Sequence, residues 1–136
     1  MNGLKELDEV IEYMNTNYPR PNMVPLVRSE PYSLENDWPS IYPNADSPGV
    51  YVFFDHSMNL LYIGKASCGA DIGSRLDKYI EYGPDNKYKF KQDKVKYSAT
   101  RFLATISVPD YRSFEAPAVE EFLIKRLKPP LNEQCG

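Results

Sequence analysis

The sequence predicts an α/β (α+β) domain: a small three-stranded antiparallel sheet flanked by helices, preceded by an N-terminal helix and a proline-rich strap. Three observations carry this expectation. Two β-branched and aromatic runs, at residues 50–54 and 60–63, are joined by the turn-forming stretch Asp55-His56-Ser57-Met58-Asn59, the pattern of an antiparallel hairpin. A third such run spans about 100–108 and is stopped by Pro109. Apolar residues at spacings of three and four mark helices at about 3–16, 71–81 and 114–128.

The first helix carries Leu4, Leu7, Val10, Ile11 and Met14 on one face, with Glu, Asp and Lys between them. From Tyr18 to Pro48 the chain holds seven prolines, which neither continue helices nor donate to sheet ladders, so this stretch is expected to be extended. Its apolar members, including Leu26, Tyr32, Leu34, Trp38 and Tyr42, suggest a strap packed on the domain. The chain therefore divides into an extension, residues 1–47, and a main domain, residues 48–136. Gly64 ends the hairpin, and Ile72, Leu76 and Ile80 share one face of the next helix until Gly83-Pro84-Asp85-Asn86 breaks it. Pro117 is tolerable in the first turn of the last helix, and Pro129-Pro130 ends it.

Bulk properties narrow the function. No run of about 18 apolar residues spans a membrane, and the N-terminus has no basic start followed by an apolar stretch, so a cytoplasmic protein is expected. Cys68 and Cys135 stand far apart without a CxxC or Cys/His cluster, which predicts neither a zinc site nor a disulfide framework. The single histidine, His56, falls in the hairpin turn and is expected to face solvent. The net charge of −3 hides an asymmetry: residues 1–48 carry 3 basic and 8 acidic side chains, whereas residues 49–136 carry 13 and 11. The extension is acidic and the rest mildly basic. Six cations, Lys87, Lys89, Lys91, Lys94, Lys96 and Arg101, concentrate in residues 87–101, interleaved with Tyr88, Phe90 and Tyr97. Such a run is either a solvated loop or a track for a phosphate backbone with base stacking.

Gly49-Val50-Tyr51, followed after ten residues by Tyr62-Ile63-Gly64-Lys65, resembles the GIY-YIG nuclease family. The resemblance continues in order through Arg75, Tyr79 one turn later, Glu120 within Glu120-Glu121-Phe122-Leu123-Ile124-Lys125, and Asn132 in Pro129-Pro130-Leu131-Asn132. It covers residues 48–132. It is nearest to the variety at the N-terminus of the nucleotide-excision repair nuclease subunit, with a longer segment at 67–74 and Leu131 in place of an aromatic. The resemblance implies a metal-dependent endonuclease, a repair-like, accessory or mobile-element nuclease, that hydrolyses the phosphodiester bonds of DNA, with RNA left open, and uses one Mg²⁺ or Mn²⁺ ion. Its site residues would be Tyr51, Tyr62, Lys65, Arg75, Tyr79, Glu120 and Asn132, with the metal on Glu120.

The chemistry agrees with these residue types. Hydrolysing a phosphodiester needs an activated water, a stabiliser for phosphoryl charge and help for the leaving oxygen. Tyr51 would relay or accept the water's proton, provided that cations, Lys65 and the metal, depress its pKa from near 10. Arg75 offers a planar fork for phosphate and Glu120 a hard oxygen ligand. On a helical wheel at about 100° per residue, Glu120 lies within the arc of Val119, Leu123 and Leu127, while Glu121 lies beside Lys125 and Lys128. Arg126 intrudes on that apolar arc. Tyr62 and Tyr79 would position groups and Asn132 would support the site. Two rival expectations stand beside this one: a sequence-specific restriction-type endonuclease, and a non-catalytic nucleic-acid-binding module that keeps the fold. The extension is expected to serve as a cover for the site or as a docking surface for a second copy or a protein partner.

Overall fold

Val50, Val52 and Phe54 alternate with Tyr51 and Phe53, and this alternation divides strand β2 (Gly49–Phe54) between two cores. The computed structural model describes residues 2–91 and 94–132. Helix α1 (Gly3–Asn17) starts at Asn2, whose side chain accepts from the N–H groups of Leu4 and Lys5. The strap then contributes β1 (Tyr32–Ser33). After β2 come β3 (Leu60–Ala66), α2 (Ile72–Tyr79), β4 (Ile80–Tyr82), β5 (Tyr88–Phe90), α3 (Lys94–Tyr97), β6 (Phe102–Ser107) and α4 (Glu115–Leu127).

The expected antiparallel sheet forms from β2, β3 and β6, with β2 in the middle. It gains a short fourth strand. Tyr32 pairs with Leu103 and Ser33 with Phe102, so the order is β1-β6-β2-β3. The strap also donates from Ser29 N to Thr105 O at 2.7 Å, covering the outer edge of β6 that would otherwise expose unpaired backbone groups. Two residues of strand between prolines leave no alternation to read, which is why the sequence shows only a loop there.

A second difference follows α2. The helix ends at Tyr79, not at residue 81, and Ile80–Tyr82 pairs with Tyr88–Phe90 as a separate two-stranded sheet around the Gly83–Asn86 turn. The lysine-rich stretch is thus a strand and a short helix among its described residues.

One face of the main sheet packs Val50, Val52, Ile63 and Ile106 against Leu7 and Ile11 of α1 and Val119 and Leu123 of α4. The other packs Tyr51, Phe53 and Leu103 against Ile72 and Leu76 of α2, with Phe90, Tyr97 and the strap residues Tyr32, Leu34 and Tyr42. Residues 1–47 therefore enter both cores. Trp38 stacks on Tyr82 with centroids 3.9 Å apart, and the Arg20 guanidinium forks onto Glu115 of α4 at 2.7 and 2.8 Å. No helix among the described residues is long and apolar enough to cross a membrane.

Candidate active site

The two motif glycines act sterically. Tyr51 lies opposite Gly64 in the β2–β3 register, and a Cβ on Gly64 would collide with the Tyr51 ring. Gly49 is fixed the same way, since a Cβ there would run into the carbonyl oxygen of Ile106. The bare backbone at 64 lets the Tyr51 ring lie flat across β3 and reach towards α2.

There it meets two more phenols. The Tyr51 hydroxyl donates to the Tyr79 hydroxyl at 3.1 Å, and Tyr79 shares a second hydrogen bond with the Tyr62 hydroxyl at 3.2 Å. Phe53 and Tyr97 wall this cluster edge-on. Tyr51 is 0% exposed, while Tyr62 and Tyr79 are half-buried, so Tyr51 forms the buried end of the hydroxyl chain. Burial pushes the Tyr51 phenol well above its ordinary pKa, its hydrogen bond to Tyr79 raises it further, and Arg75 opposes this by its charge and by hydrogen bonding. Tyr62 is pushed up for the same reasons, burial first and Tyr79 second. Arg75 sits one turn before Tyr79 with its charge facing both hydroxyls, and its Nε is buried with no hydrogen-bond partner.

Lys65 does not join this cluster. It pairs with Val50, and through Val50 with Ile106, which puts it on the α1/α4 face of the sheet. The expected Tyr51–Lys65 partnership is therefore corrected: adjacent residues on a strand point to opposite faces, and the cation facing Tyr51 is Arg75. Lys65 instead faces Glu120 on α4. Burial pushes the Glu120 carboxyl above its ordinary pKa, and the charges of Lys65 and Arg75 pull it partly back. The set is thus split by β3, an edge strand, with the phenols and Arg75 on one side and Lys65 and Glu120 on the other. Arg75 acts electrostatically on both Tyr51 and Glu120, so the two halves meet at the open rim of that strand.

Glu120 is half-buried and Glu121 exposed, as the wheel predicts. Arg126 leaves the apolar arc by lying over the rings of Tyr13 and Phe122, 4.3 and 4.8 Å from their centroids. Among the described residues no group of three His, Cys, Asp or Glu side chains converges. A divalent ion here would have Glu120 as its single protein carboxylate. That donor set suits Mg²⁺, a hard ion that keeps several waters and takes its remaining oxygens from substrate phosphate.

Asn132 is a structural clamp on β3. Its carboxamide accepts from Ile63 N and donates to Ile63 O, each at 2.8 Å, while Leu131 N donates to Leu61 O. Of the six expected nucleic-acid-contacting cations, Lys87, Lys89, Lys91 and Lys94 are exposed. Lys96 lies over the rings of Tyr62 and Tyr97, at 5.6 and 5.2 Å, which brings a cation to the phenol cluster that its position in a run of five lysines did not single out. Arg101 is half-buried, donating to the carbonyls of Ser98 and Thr100. The aromatics between them are not free to stack on bases: Phe90 and Tyr97 are core residues and the Tyr88 hydroxyl donates to Thr100 O. His56 is exposed in the hairpin turn and Cys68 is an exposed free thiol, while Cys135 lies outside the described residues.

The family model for the UvrC-like GIY-YIG domain matches residues 47–133. Among similar curated proteins, UvrABC system protein C of Helicobacter pylori (strain G27) is 38% identical over 93 residues, covering 64% of this chain and 14% of that protein. The protein of the same name from Synechococcus sp. (strain JA-3-3Ab) is 32% identical over 109 residues, covering 80% of this chain and 16% of its own length. The chain thus corresponds to less than a fifth of these relatives. A solved structure, the GIY-YIG N-terminal endonuclease domain of UvrC from Thermotoga maritima in a point mutant bound to its catalytic divalent cation, aligns with TM-score 0.49 and 30% identity, over 69% of this chain and 91% of that one.

Proposed function

Because the chain belongs to the UvrC-like GIY-YIG domain family, we propose that it is a metal-dependent endonuclease that hydrolyses DNA phosphodiester bonds, as a repair-like or accessory nuclease. The observation that carries this reading is the Tyr51–Tyr79–Tyr62 hydroxyl chain beside Arg75, with the Glu120 carboxylate across the same strand rim. A module that only bound nucleic acid would gain nothing from a desolvated carboxylate beside a polyanion.

The residues divide the work by exposure. Tyr51 is neutral and buried, so it orients Tyr79 by donating to its oxygen. The hydroxyls of Tyr79 and Tyr62, at the half-buried end of the chain, are the groups able to accept a hydrogen bond from the attacking water. Arg75, with a buried Nε lacking a partner, offers its fork to the scissile phosphate and holds its charge against the phenols. Glu120 holds one Mg²⁺ or Mn²⁺, which supplies Lewis-acid stabilisation of the phosphoryl oxygens when bound. Lys65 keeps the Glu120 carboxylate charged and faces the same phosphate from the other side of β3. Asn132 keeps that strand in place.

Nicking of supercoiled plasmid with Mg²⁺ or Mn²⁺, lost in EDTA and in Glu120→Ala, is the expected result. Full metal-dependent cleavage by Glu120→Ala would overturn the assignment of the metal ligand. No nicking by the unaltered protein with any divalent ion would overturn the nuclease reading.

A further inference from the structure

A groove of ≈ 360 Å³ is lined by Tyr88, Phe90, Lys89, Lys94 and Arg101, with Glu35 of the strap as its acidic member, and Phe90 joins it through Tyr97 to the phenol cluster. We propose that this groove holds the phosphodiester backbone of the nucleic acid next to the segment being cut, and that Glu35 occupies it as an internal anion which the backbone displaces. The proposal deepens the nuclease reading above and rests on it for the identity of the ligand.

Four features lead there. Among the described residues that line it, the groove brings three cations together with one carboxylate, Glu35, in a chain whose overall charge is negative. Arg101 is held in place by the carbonyls of Ser98 and Thr100, at 2.8 and 3.1 Å, so its fork is ordered before any ligand arrives. The contact Glu35 makes with it is long, 3.9 Å, and Lys89 is similarly loose on Glu81 at 3.8 Å; both pairs are well exposed and therefore weak. A phosphate oxygen exchanges readily for either carboxylate.

Continuity with the reacting centre is the fourth. Helix α3 is one turn long and puts Lys94 in the groove and Lys96 over the Tyr62 ring, so a strand crossing α3 passes from one to the other. Val95, 90% exposed, stands between them where the apolar face of a sugar or base would lie. A free phosphate would leave that side chain without a partner. A backbone carrying sugars would not.

The test reads binding of a fluorescein-labelled oligonucleotide to the full chain by anisotropy, in EDTA, across a series of salt concentrations. Lys89→Gln combined with Lys94→Gln is expected to weaken binding and to flatten the slope of log affinity against log salt by about 1.5, since each lost phosphate contact removes roughly 0.7–0.9. Glu35→Gln is expected to tighten binding by about two- to fivefold, the worth of an exposed ion pair. Lys5→Gln with Lys125→Gln makes the same charge change at two exposed positions on α1 and α4 and should leave the slope nearly unaltered. The same pattern is expected for DNA and RNA oligonucleotides, because the cations address phosphate. An unchanged slope in the groove variant, or an equal change in the α1/α4 variant, overturns the proposal. Reading binding in EDTA separates this from the nuclease reading, which plasmid nicking alone decides.

Discussion

Asn132 and Ile63 are joined by two hydrogen bonds of 2.8 Å each, the carboxamide taking both backbone groups that Ile63, on edge strand β3, turns away from the sheet. A side chain from the C-terminal turn thus behaves as one residue of an additional strand. Asn132→Leu leaves the Ile63 N–H and carbonyl unpaired against an apolar group, a cost of about 1–3 kcal/mol for orphaned polar groups. The urea midpoint should fall accordingly. Asn132→Asp should be nearly as damaging, because a carboxylate accepts from Ile63 N but repels Ile63 O. A midpoint unchanged in Asn132→Leu would show that the clamp is idle.

Gly64 and Tyr51 should behave as one unit. Gly64→Ala forces its methyl into the Tyr51 ring and should destabilise by about 1–3 kcal/mol, the range for overpacking a filled site. With Tyr51→Ala in the background the clash disappears, so the double-mutant cycle should show coupling well above 0.5 kcal/mol. Additive effects would place the cost of Gly64→Ala elsewhere.

Tyr79→Phe removes the oxygen shared by the hydrogen bonds to Tyr51 and Tyr62 while keeping the ring that packs against Phe53 and Tyr97. Cleavage is expected to fall by about 10²–10⁴, the usual scale for losing a proton-handling group, with little change in substrate binding. A larger effect in Tyr51→Phe with Tyr79→Phe near the parent rate would reverse their proposed roles.

Glu120 should tie activity to pH and to stability in opposite directions. Its carboxyl is raised by burial, so cleavage at subsaturating metal is expected to fall as pH drops through a value above the usual glutamate range. Lys65→Met removes a cation that holds the carboxylate charged, and the acid limb should move further towards neutrality. For folding, a raised carboxyl pKa is a penalty fully present above that pKa and absent below the unfolded value. Glu120→Gln should therefore melt at a higher temperature than the parent at neutral pH while losing cleavage. A melting temperature lowered by this substitution would contradict the burial argument.

Glu115, with 11% side-chain exposure, anchors the strap by accepting from Nε and Nη2 of Arg20, and Arg112 adds a third contact at 3.3 Å. Burial raises its pKa, but the hydrogen bonds from Arg20 and Arg112 outweigh this and hold it low. Its contribution is thus present above the ordinary glutamate range and lost as pH falls through the lowered value. Glu115→Gln should cost about 2 kcal/mol at neutral pH, the scale of charge-assisted hydrogen bonds, and the loss should shrink in acid.

How much of this was legible depended on how far apart the decisive residues are. The β2–β3 hairpin, helix α4 and the half-burial of Glu120 beside an exposed Glu121 follow from local periodicity, because five or more residues repeat one pattern. Strand β1 and the β4–β5 pair escaped it, since two or three residues give no alternation. The division of the site across β3 was also missed. Lys65 stands three residues from Tyr62 and fourteen from Tyr51, and sequence proximity suggested a shared pocket, whereas its face is set by pairing with Val50 and Ile106. The burial of Phe90 and Tyr97 was hidden by the lysines around them, which mark solvent at every second position only.

The hairpin turn carries a consequence for how this chain can vary. Asp55 fixes residues 55–59 by accepting from Ser57 N, Asn59 N and the Asn59 side chain, and that turn sets which residues of β3 face which core. A single-residue insertion or deletion there would slide β3 by one and exchange its two faces, sending Tyr62 towards α4; a deletion would put Lys65 opposite Tyr51 and an insertion Ile63. Substitutions along β3 can be sampled one at a time, but its length and phase must be inherited together. Among descendants of this sequence, gaps should be absent from residues 55–59 even where the residues themselves have drifted.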